Sequence, residues 1–161
     1  IRLAAEMLVL AGLSDMDAAT AQAVDAIESG AALEVFLRLT ERQGGDPAVV
    51  ENTSLLPKAT EEHVLVAPRS GVVSRCDAYQ IGIASVRLGA GRAKKESHID
   101  PAVGFLIEAK IGDEIERGDP LVRIAYNDEQ KCSAALEALS QAWEIGEEPA
   151  RVGPLILGGI Q

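Results

Sequence analysis

The residues best suited to chemistry lie between Gly82 and Gly104, where an apolar segment leads into a glycine pair and a run of cations. The segment reads GIASVRLGAGRAKKESHIDPAVG, and its basic side chains are Arg87, Arg92, Lys94 and Lys95. Glycines allow a backbone to turn sharply and approach another surface, and cations beside such a turn can meet an anion or an acidic face. The pattern is equally typical of a plain basic turn that joins a helix to a strand.

Other chemistries find little support in the spacing of reactive residues. The two histidines, His63 and His98, are far apart in the sequence, so no metal site is expected. Cys76 and Cys132 lack C-x-x-C spacing and are interpreted as free thiols in a reducing compartment. No paired carboxylates and no Ser-His-Asp or Cys-His arrangement can be argued. Gly89-Ala90-Gly91 lacks the third glycine and the preceding strand of a dinucleotide-binding motif.

The composition is that of a globular protein that can bury a core. The chain has 161 residues, which fit one domain or one domain with an appendage, and 47% of them are hydrophobic. Its formal net charge of -10 argues against nucleic acid as a partner. No apolar run is long enough to span a membrane and no signal peptide opens the chain, so we expect no membrane partner and a cytoplasmic location. Because Ile1 already lies inside a helical pattern, we interpret the chain as cut from something longer.

Residues 1–60 are predicted to be helical. Apolar spacing and capping residues predict helices over 2–12, 14–29 and 31–43 and a short helix that begins at Asp46-Pro47. Polar residues 52–60 predict a linker. The apolar side chains expected to share a face of the first helix, or to lie inward on the second and third, are Leu3, Met7, Leu10, Ala19, Ala23, Val24, Ile27, Leu33, Phe36, Leu37 and Leu39.

From His63 the pattern changes to strands that alternate with helices. Strands are predicted over 63–68, 71–78, 103–107 (expected to be buried) and 120–126, tight turns over 111–119, and an edge strand over 152–157. Helices are predicted over 78–88 and 128–143, with inward residues Ile81, Ala84, Ser85, Leu88, Cys132, Ala135, Leu136 and Leu139.

The strands and turns of this second half also have the form of a carrier-domain half-barrel. APRSGVV followed by VGFLIEAKIGDEIERGDPLVRI resembles the half-barrels of biotinyl and lipoyl carrier domains. Those domains carry a modified lysine at the tip of a hairpin between the two halves. Here the insert is far longer, contains a predicted helix and lacks a Met-Lys-Met or Asp-Lys-Ala motif. Because the scaffold matches but the lysine motif does not, a carrier or a non-catalytic interaction domain is kept only as the alternative function.

A second resemblance covers nearly the whole chain, in one order and at near-constant spacing. Its segments are AEML and AG from Ala5, SGAALEVF from Ser29, QGGDPAVV from Gln43, LLP, then LGAGRAKKE from Leu88 with ID and AVG, and finally IGD, GDPL and NDE. With these segments the chain resembles the C-terminal part of a pyrimidine-nucleoside or thymidine phosphorylase.

This resemblance implies an α+β fold. Residues 1–60 are expected to be the helical end of the phosphorylase α/β domain plus a linker. Residues 61–161 are expected to form its C-terminal α/β-hammerhead domain, which is barrel-sandwich-hybrid-like. The family also implies a homodimer whose two domains close over the substrates, which brings reactants together and excludes water.

The implied reaction is an attack of phosphate on the anomeric carbon of a pyrimidine (deoxy)ribonucleoside, which releases the base and gives the sugar 1-phosphate. Phosphate is then a co-substrate, and no cofactor is expected. The family's catalytic, phosphate-binding and base-contacting residues have no counterparts here, so no residue is assigned a catalytic role and the isolated chain is expected to be inactive. Gly89, Gly91, Arg92, Lys94 and Lys95 are the candidates for a loop that acts in domain closure. The choice between thymidine, uridine and a nucleotide monophosphate stays open.

Overall fold

The computed structural model describes residues 1–92, 94–148, 153, 154, 156 and 158. The chain divides into two compact units, Ile1–Leu56 and Pro57–Gln161. Helices and two small antiparallel sheets make up a mixed α+β fold, which confirms the predicted class. The hammerhead arrangement stays a prediction. Three of the six positions of the strand predicted over 152–157 lie outside the described residues.

The first unit is built from helices and one short turn. Asp15 caps the second helix, because its side chain accepts a hydrogen bond from the Ala18 N–H at 2.9 Å. The first two helices pack on each other, and Ala5 and Ala19 are fully buried. The elements are α1 (Arg2–Leu10), α2 (Met16–Glu28), α3 (Ala31–Arg42), α4 (Ala48–Glu51) and a 3-10 turn (Thr53–Leu55).

The burial predicted for α3 is wrong. None of its residues is buried, and Leu33 and Phe36 are each 52% exposed. On α2 the same applies to Ile27, which is 62% exposed. These helices are amphipathic, but a layer that would cover their apolar faces is missing among the described residues. On α1 this leaves Leu3 and Met7 more than two-thirds exposed.

The second unit contains two three-stranded antiparallel sheets and two longer helices. The first sheet has the order β1-β5-β3 and the second sheet the order β4-β2-β6. The elements are β1 (Glu61–Val66), β2 (Gly71–Cys76), α5 (Ala78–Leu88), β3 (Gly104–Ile107), β4 (Glu114–Ile115), β5 (Pro120–Tyr126), α6 (Glu129–Leu139) and β6 (Trp143–Gly146).

Two hydrophobic cores stabilise this unit. The larger one joins α5 and α6 to the first sheet through Ala84, Leu88, Val122, Ile124, Cys132, Ala135 and Leu139. The smaller one contains Ala67, Val73, Ala109, Leu121 and Ile145. Trp143 packs against both cores, and its indole N–H donates a hydrogen bond to the Ala109 carbonyl at 3.0 Å.

Two predictions for this unit need correction. The second long helix ends at Leu139 rather than at residue 143, because Trp143–Gly146 pairs with β2 as a strand. The strand that contains Leu106 is not buried on both faces, since Leu106 itself is 60% exposed. The helices pack against one face of the first sheet, and alternate residues of a strand point to opposite faces.

A four-residue turn occurs twice between β3 and β5. The Asp113 carboxylate accepts a hydrogen bond from the Lys110 N–H, and the Asp119 carboxylate accepts one from the Glu116 N–H, each at 2.7 Å. Each aspartate also donates its own N–H back to the same partner residue, at 3.1 Å and 3.0 Å. The predicted tight turns over 111–119 thus satisfy their own backbone groups.

Candidate functional site: the basic loop

The basic loop, residues 90–99, begins and ends at one point of the second unit. Gly89 ends α5 in the left-handed conformation, with φ 104°, and its N–H donates to the Val86 carbonyl at 3.1 Å. At the other end, the Asp100 N–H donates to the Gly89 carbonyl at 3.0 Å. The two stems are therefore hydrogen-bonded to each other, as in a compact surface loop.

The structure separates the four predicted cations into two groups. Arg92, Lys94 and Lys95 are exposed on the loop, and no salt bridge is found for them within the described part of the chain. Arg87 instead turns toward α6, where its guanidinium lies 3.7 Å from a Glu137 carboxylate oxygen. The loop cations are therefore available to an external anion, whereas Arg87 has a partner.

Hydrogen bonds and close packing give the loop a defined shape. The Lys94 N–H donates to the Ser97 hydroxyl at 3.1 Å, and the Ser97 N–H donates to the Lys94 carbonyl at 3.0 Å. Gly91 lies so close to Val86 that an added Cβ would stand 2.9 Å from its Cγ2. This close approach explains why a glycine, rather than a larger residue, follows Ala90.

Sequence reasoning missed one cation at the base of the loop. Lys131 lies in the first turn of α6, and its side chain extends to Gly89. A Cβ added to Gly89 would lie 3.5 Å from the Lys131 ammonium nitrogen. The only signal for it was the NDE triplet, because Asp128 is the cap that sets the direction of α6.

Sequence reasoning also missed the polar group that holds the end of the loop. The Asn127 side-chain amide donates to an Asp100 carboxylate oxygen at 2.8 Å. Its oxygen accepts from the Thr60 N–H at 2.8 Å and from the Thr60 hydroxyl at 3.2 Å. The other Asp100 oxygen accepts from the Ala102 N–H at 2.9 Å. We call Thr60, Asp100 and Asn127 the clasp.

The clasp stabilises the ionised form of Asp100. The hydrogen bond from Asn127, followed by the backbone bond from Ala102, holds the pKa of Asp100 below its ordinary value of 3.8. The charges of Lys131 and His98 act in the same direction. Because the folded-state pKa is lowered, the clasp contributes stability at neutral pH, and this contribution is lost as the pH falls through the lowered pKa.

Replacing Asn127 with alanine is therefore expected to raise the pKa of Asp100 toward 3.8. An NMR titration of the side-chain carboxyl carbons would measure the change. An Asp100 pKa that is identical with and without Asn127 would contradict the assigned hydrogen bond.

Comparison with known proteins gives the loop a family context. Residues 72–146 match a family model described as the pyrimidine nucleoside phosphorylase C-terminal domain. The pyrimidine-nucleoside phosphorylase of Bacillus subtilis (strain 168) is 42% identical over 130 residues, which cover 80% of this chain and 30% of that protein. The pyrimidine-nucleoside phosphorylase of Staphylococcus haemolyticus (strain JCSC1435) is 40% identical over 149 residues, which cover 88% of this chain and 34% of that protein. Residues 72–146 belong to the pyrimidine nucleoside phosphorylase C-terminal domain family.

The family assignment confirms the resemblance inferred from the sequence. The basic loop, Asp100 and Asn127 all lie within the matched range, whereas Thr60 lies before it. The chain spans about a third of the length of the curated phosphorylases that it matches. None of these matches tests the roles predicted for Gly89, Gly91, Arg92, Lys94 and Lys95, which stay predictions.

The position of the loop lysines differs from that in a carrier domain. Lys94 and Lys95 lie between helix α5 and strand β3, not at the tip of a hairpin between two strands. A carrier lysine must project from such a tip to reach its enzymes. The connection between α5 and β3 therefore lacks the hairpin tip of a carrier domain, and the carrier alternative loses its structural support.

A cavity with a volume of about 590 Å³ lies elsewhere, beside β6. Its polar side chains are engaged in the fold: the Arg69 guanidinium donates to the Ile145 carbonyl, and the Ser74 hydroxyl donates to the Glu144 carbonyl at 3.1 Å. The remaining lining is largely apolar and carries no cluster of catalytic groups.

The thiols are not activated. Cys76 and Cys132 are free, and burial raises the pKa of each thiol above its ordinary value, which favours the unreactive protonated form. Among the described residues, no three His, Cys, Asp or Glu side chains are grouped to hold a metal ion. Within the same part of the chain, no helix has both the length and the apolarity needed to cross a membrane.

Proposed function

We propose that the chain acts as the C-terminal portion of a longer pyrimidine-nucleoside phosphorylase. The observation that carries this proposal is the family match over residues 72–146, together with about 40% identity to phosphorylases of roughly three times the length. In the proposed reaction, phosphate attacks the anomeric carbon of a pyrimidine nucleoside. The C–N bond to the base breaks, and free base and (deoxy)ribose 1-phosphate are formed.

We place the reacting groups outside this chain. The described residues present no nucleophile and base in hydrogen-bonding distance, and the cation in the cavity beside β6, Arg69, already donates to the Ile145 carbonyl. The chain then contributes a domain that closes over the substrates, which are bound by residues outside it. Closure of this kind aligns phosphate with the sugar and excludes water. We expect the longer enzyme to be a homodimer.

The basic loop is our candidate for the surface that acts in closure. Its cations are exposed and, within the described residues, form no salt bridge, so they can pair with an acidic or phosphate group on the opposing domain. The loop is also compact, because its stems and Lys94 are hydrogen-bonded. A compact cationic surface loses less entropy on contact than a disordered one.

Replacing Arg92 with alanine in the longer enzyme is expected to lower kcat/KM by about tenfold, the usual scale for one lost charge-assisted contact. Steady-state kinetics with phosphate and nucleoside varied in turn would measure the loss. Arg117→Ala is the matched control, because Arg117 is an exposed arginine in a turn outside the loop. Equal kinetics for the two variants, or no change for Arg92→Ala, would remove the loop from the mechanism.

Product analysis tests the proposed reaction and its substrate range. The longer protein should form a sugar 1-phosphate, visible by phosphorus NMR, from thymidine or uridine and inorganic phosphate. Incubation with the corresponding nucleoside monophosphates separates the alternative substrate class. If none of these four compounds is split in the presence of phosphate, the proposed function is wrong. Mass spectrometry of the native protein would detect biotin or lipoate and so test the carrier alternative.

A further inference from the structure

We infer that Asn127 is a positioning residue that couples the basic loop to segment 57–60, which follows the first unit. The chain passes from one compact unit to the next between Leu56 and Pro57. Thr60 follows this boundary by a few residues, and its N–H donates a hydrogen bond to the Asn127 side chain. The Asn127 side chain also donates a hydrogen bond to Asp100, at the end of the loop. The expected effect of Asn127 on enzyme turnover rests on the proposed function.

The geometry of Asn127 requires a side-chain amide. One end accepts hydrogen bonds from Thr60 and the other end donates to the Asp100 carboxylate. A carboxylate at the same position would keep the first contact and turn the second into a repulsion between like charges. An aliphatic side chain would lose both contacts.

Asp100 transmits the contact to the loop. Its carboxylate is bonded to Asn127 and to the Ala102 N–H, while its own N–H is bonded to Gly89. A displacement of Asn127 therefore reaches both stems of the loop. Asn127 is not needed as the cap of α6, since the adjacent Asp128 accepts the Gln130 and Lys131 N–H groups at 2.9 Å and 3.0 Å.

The effect of the clasp is expected to be local. Thr60 and Asn127 are exposed, and a hydrogen bond between exposed groups adds little to global stability. Its loss opens the segments that it joins while the two cores stay folded. The segment and the loop should thus open together when either side of the clasp is removed.

Limited trypsin digestion of this chain measures both openings at once. Lys58 is the cleavage site in the segment, and Arg92, Lys94 and Lys95 are the sites in the loop. Asp100→Ala is expected to increase cleavage at the loop and, through Asn127, also at Lys58, each by about fivefold, because cleavage follows the population of the open form. In the Asn127→Ala background, Asp100→Ala should add nothing at Lys58.

Asp113→Ala is the matched control for this experiment. Asp113 also accepts a backbone N–H through its carboxylate, but it lies in a turn outside the clasp. Its replacement should leave cleavage at Lys58 and in the loop within about twofold of the parent chain. Cleavage at Lys58 that is unchanged by Asp100→Ala, or is raised as much by Asp113→Ala, would overturn the coupling.

An exchange of the two side chains provides a stricter test. Asn127→Asp alone places two carboxylates against each other and should increase cleavage at both sites. Adding Asp100→Asn restores the pattern in reverse: the new amide donates to the new carboxylate, which still accepts from Thr60, and the Ala102 N–H keeps its acceptor. Cleavage should return to within about twofold of the parent chain. If the double variant is cut as fast as Asn127→Asp, the inference is wrong.

The same pair of variants connects the clasp to turnover in the longer enzyme. Asn127→Asp should lower kcat for thymidine or uridine about tenfold, and the exchange variant should recover it. Normal kinetics for Asn127→Asp in an active enzyme would overturn the positioning role alone. A parent enzyme without phosphorolysis would instead overturn the proposed function, while the digestion of this chain decides the coupling independently.

Discussion

Replacing Gly71 with alanine is expected to lower the free energy of unfolding of the second unit by about 3 kcal/mol or more, because backbone strain and a steric clash coincide. Gly71 opens β2 with φ 151°, a conformation that residues with a side chain rarely adopt. An added Cβ would overlap the Gly146 carbonyl oxygen and lie 2.8 Å from Cγ2 of Ile145. The clash therefore pushes β6 away from β2. Urea unfolding followed by the fluorescence of Trp143, the only tryptophan, would measure the loss.

Gly104→Ala is the matched control for this experiment. Gly104 also opens a strand, β3, but nothing lies within 4 Å of an added Cβ there. The free energy of unfolding should therefore change by no more than about 0.5 kcal/mol. Similar midpoints for the two alanine variants would show that the contact between β2 and β6 is not as close as described.

Replacing Trp143 with alanine is the second large effect, with an expected loss of about 3–5 kcal/mol. The indole packs against the larger core, which contains Leu139, and against the smaller core, which contains Ile145. Its removal leaves a space that borders both cores and leaves the Ala109 carbonyl without its donor. Because the variant has no tryptophan, circular dichroism would follow its unfolding.

Trp143→Phe separates packing from hydrogen bonding. The phenyl ring keeps much of the contact with both cores, whereas the bond to the Ala109 carbonyl is lost. The cost should be clearly smaller than for alanine, on the order of 1–3 kcal/mol. If Trp143→Ala and Trp143→Phe lower the free energy of unfolding equally, packing of the indole against both cores does not stabilise the unit.

Local signals account for the parts of the fold that the sequence predicts well. Strand β5 has the predicted bounds, 120–126, and α5 has the predicted bounds, 78–88. Both have clear periodicity, and α5 carries a cap at Asp77 and a glycine at its end. The predicted end of α6 is wrong because the helical pattern continues past Leu139, while the pairing of β6 with β2 depends on residues far apart in the chain.

The candidate site was predictable only as a charge pattern. The cations of the basic loop stand out in an acidic chain, so Arg92, Lys94 and Lys95 could be selected from the sequence alone. The clasp could not, because Asn127 meets Asp100 27 positions away and Thr60 67 positions away. Single-sequence reasoning predicts such long-range side-chain contacts poorly, since no local period records them.

The burial predicted for the first unit is wrong for a related reason. The amphipathic pattern of α3 correctly predicts a helix with an apolar face, but it does not contain the layer that would cover that face. Phe36 and Leu39 are therefore exposed although their spacing is that of a buried stripe. The periodicity of a helix identifies its apolar face, but it does not identify the segment that packs against that face.

The central proposal is tested most directly by the phosphate-dependent release of thymine from thymidine. The release is measured side by side for the 161-residue chain and for the proposed longer protein that contains it. We expect release by the longer protein and none by the 161-residue chain, because the reacting groups are placed outside it. Uridine serves as the second substrate in the same assay. Phosphorolysis by the 161-residue chain alone, or none of either nucleoside by the longer protein, would contradict the account.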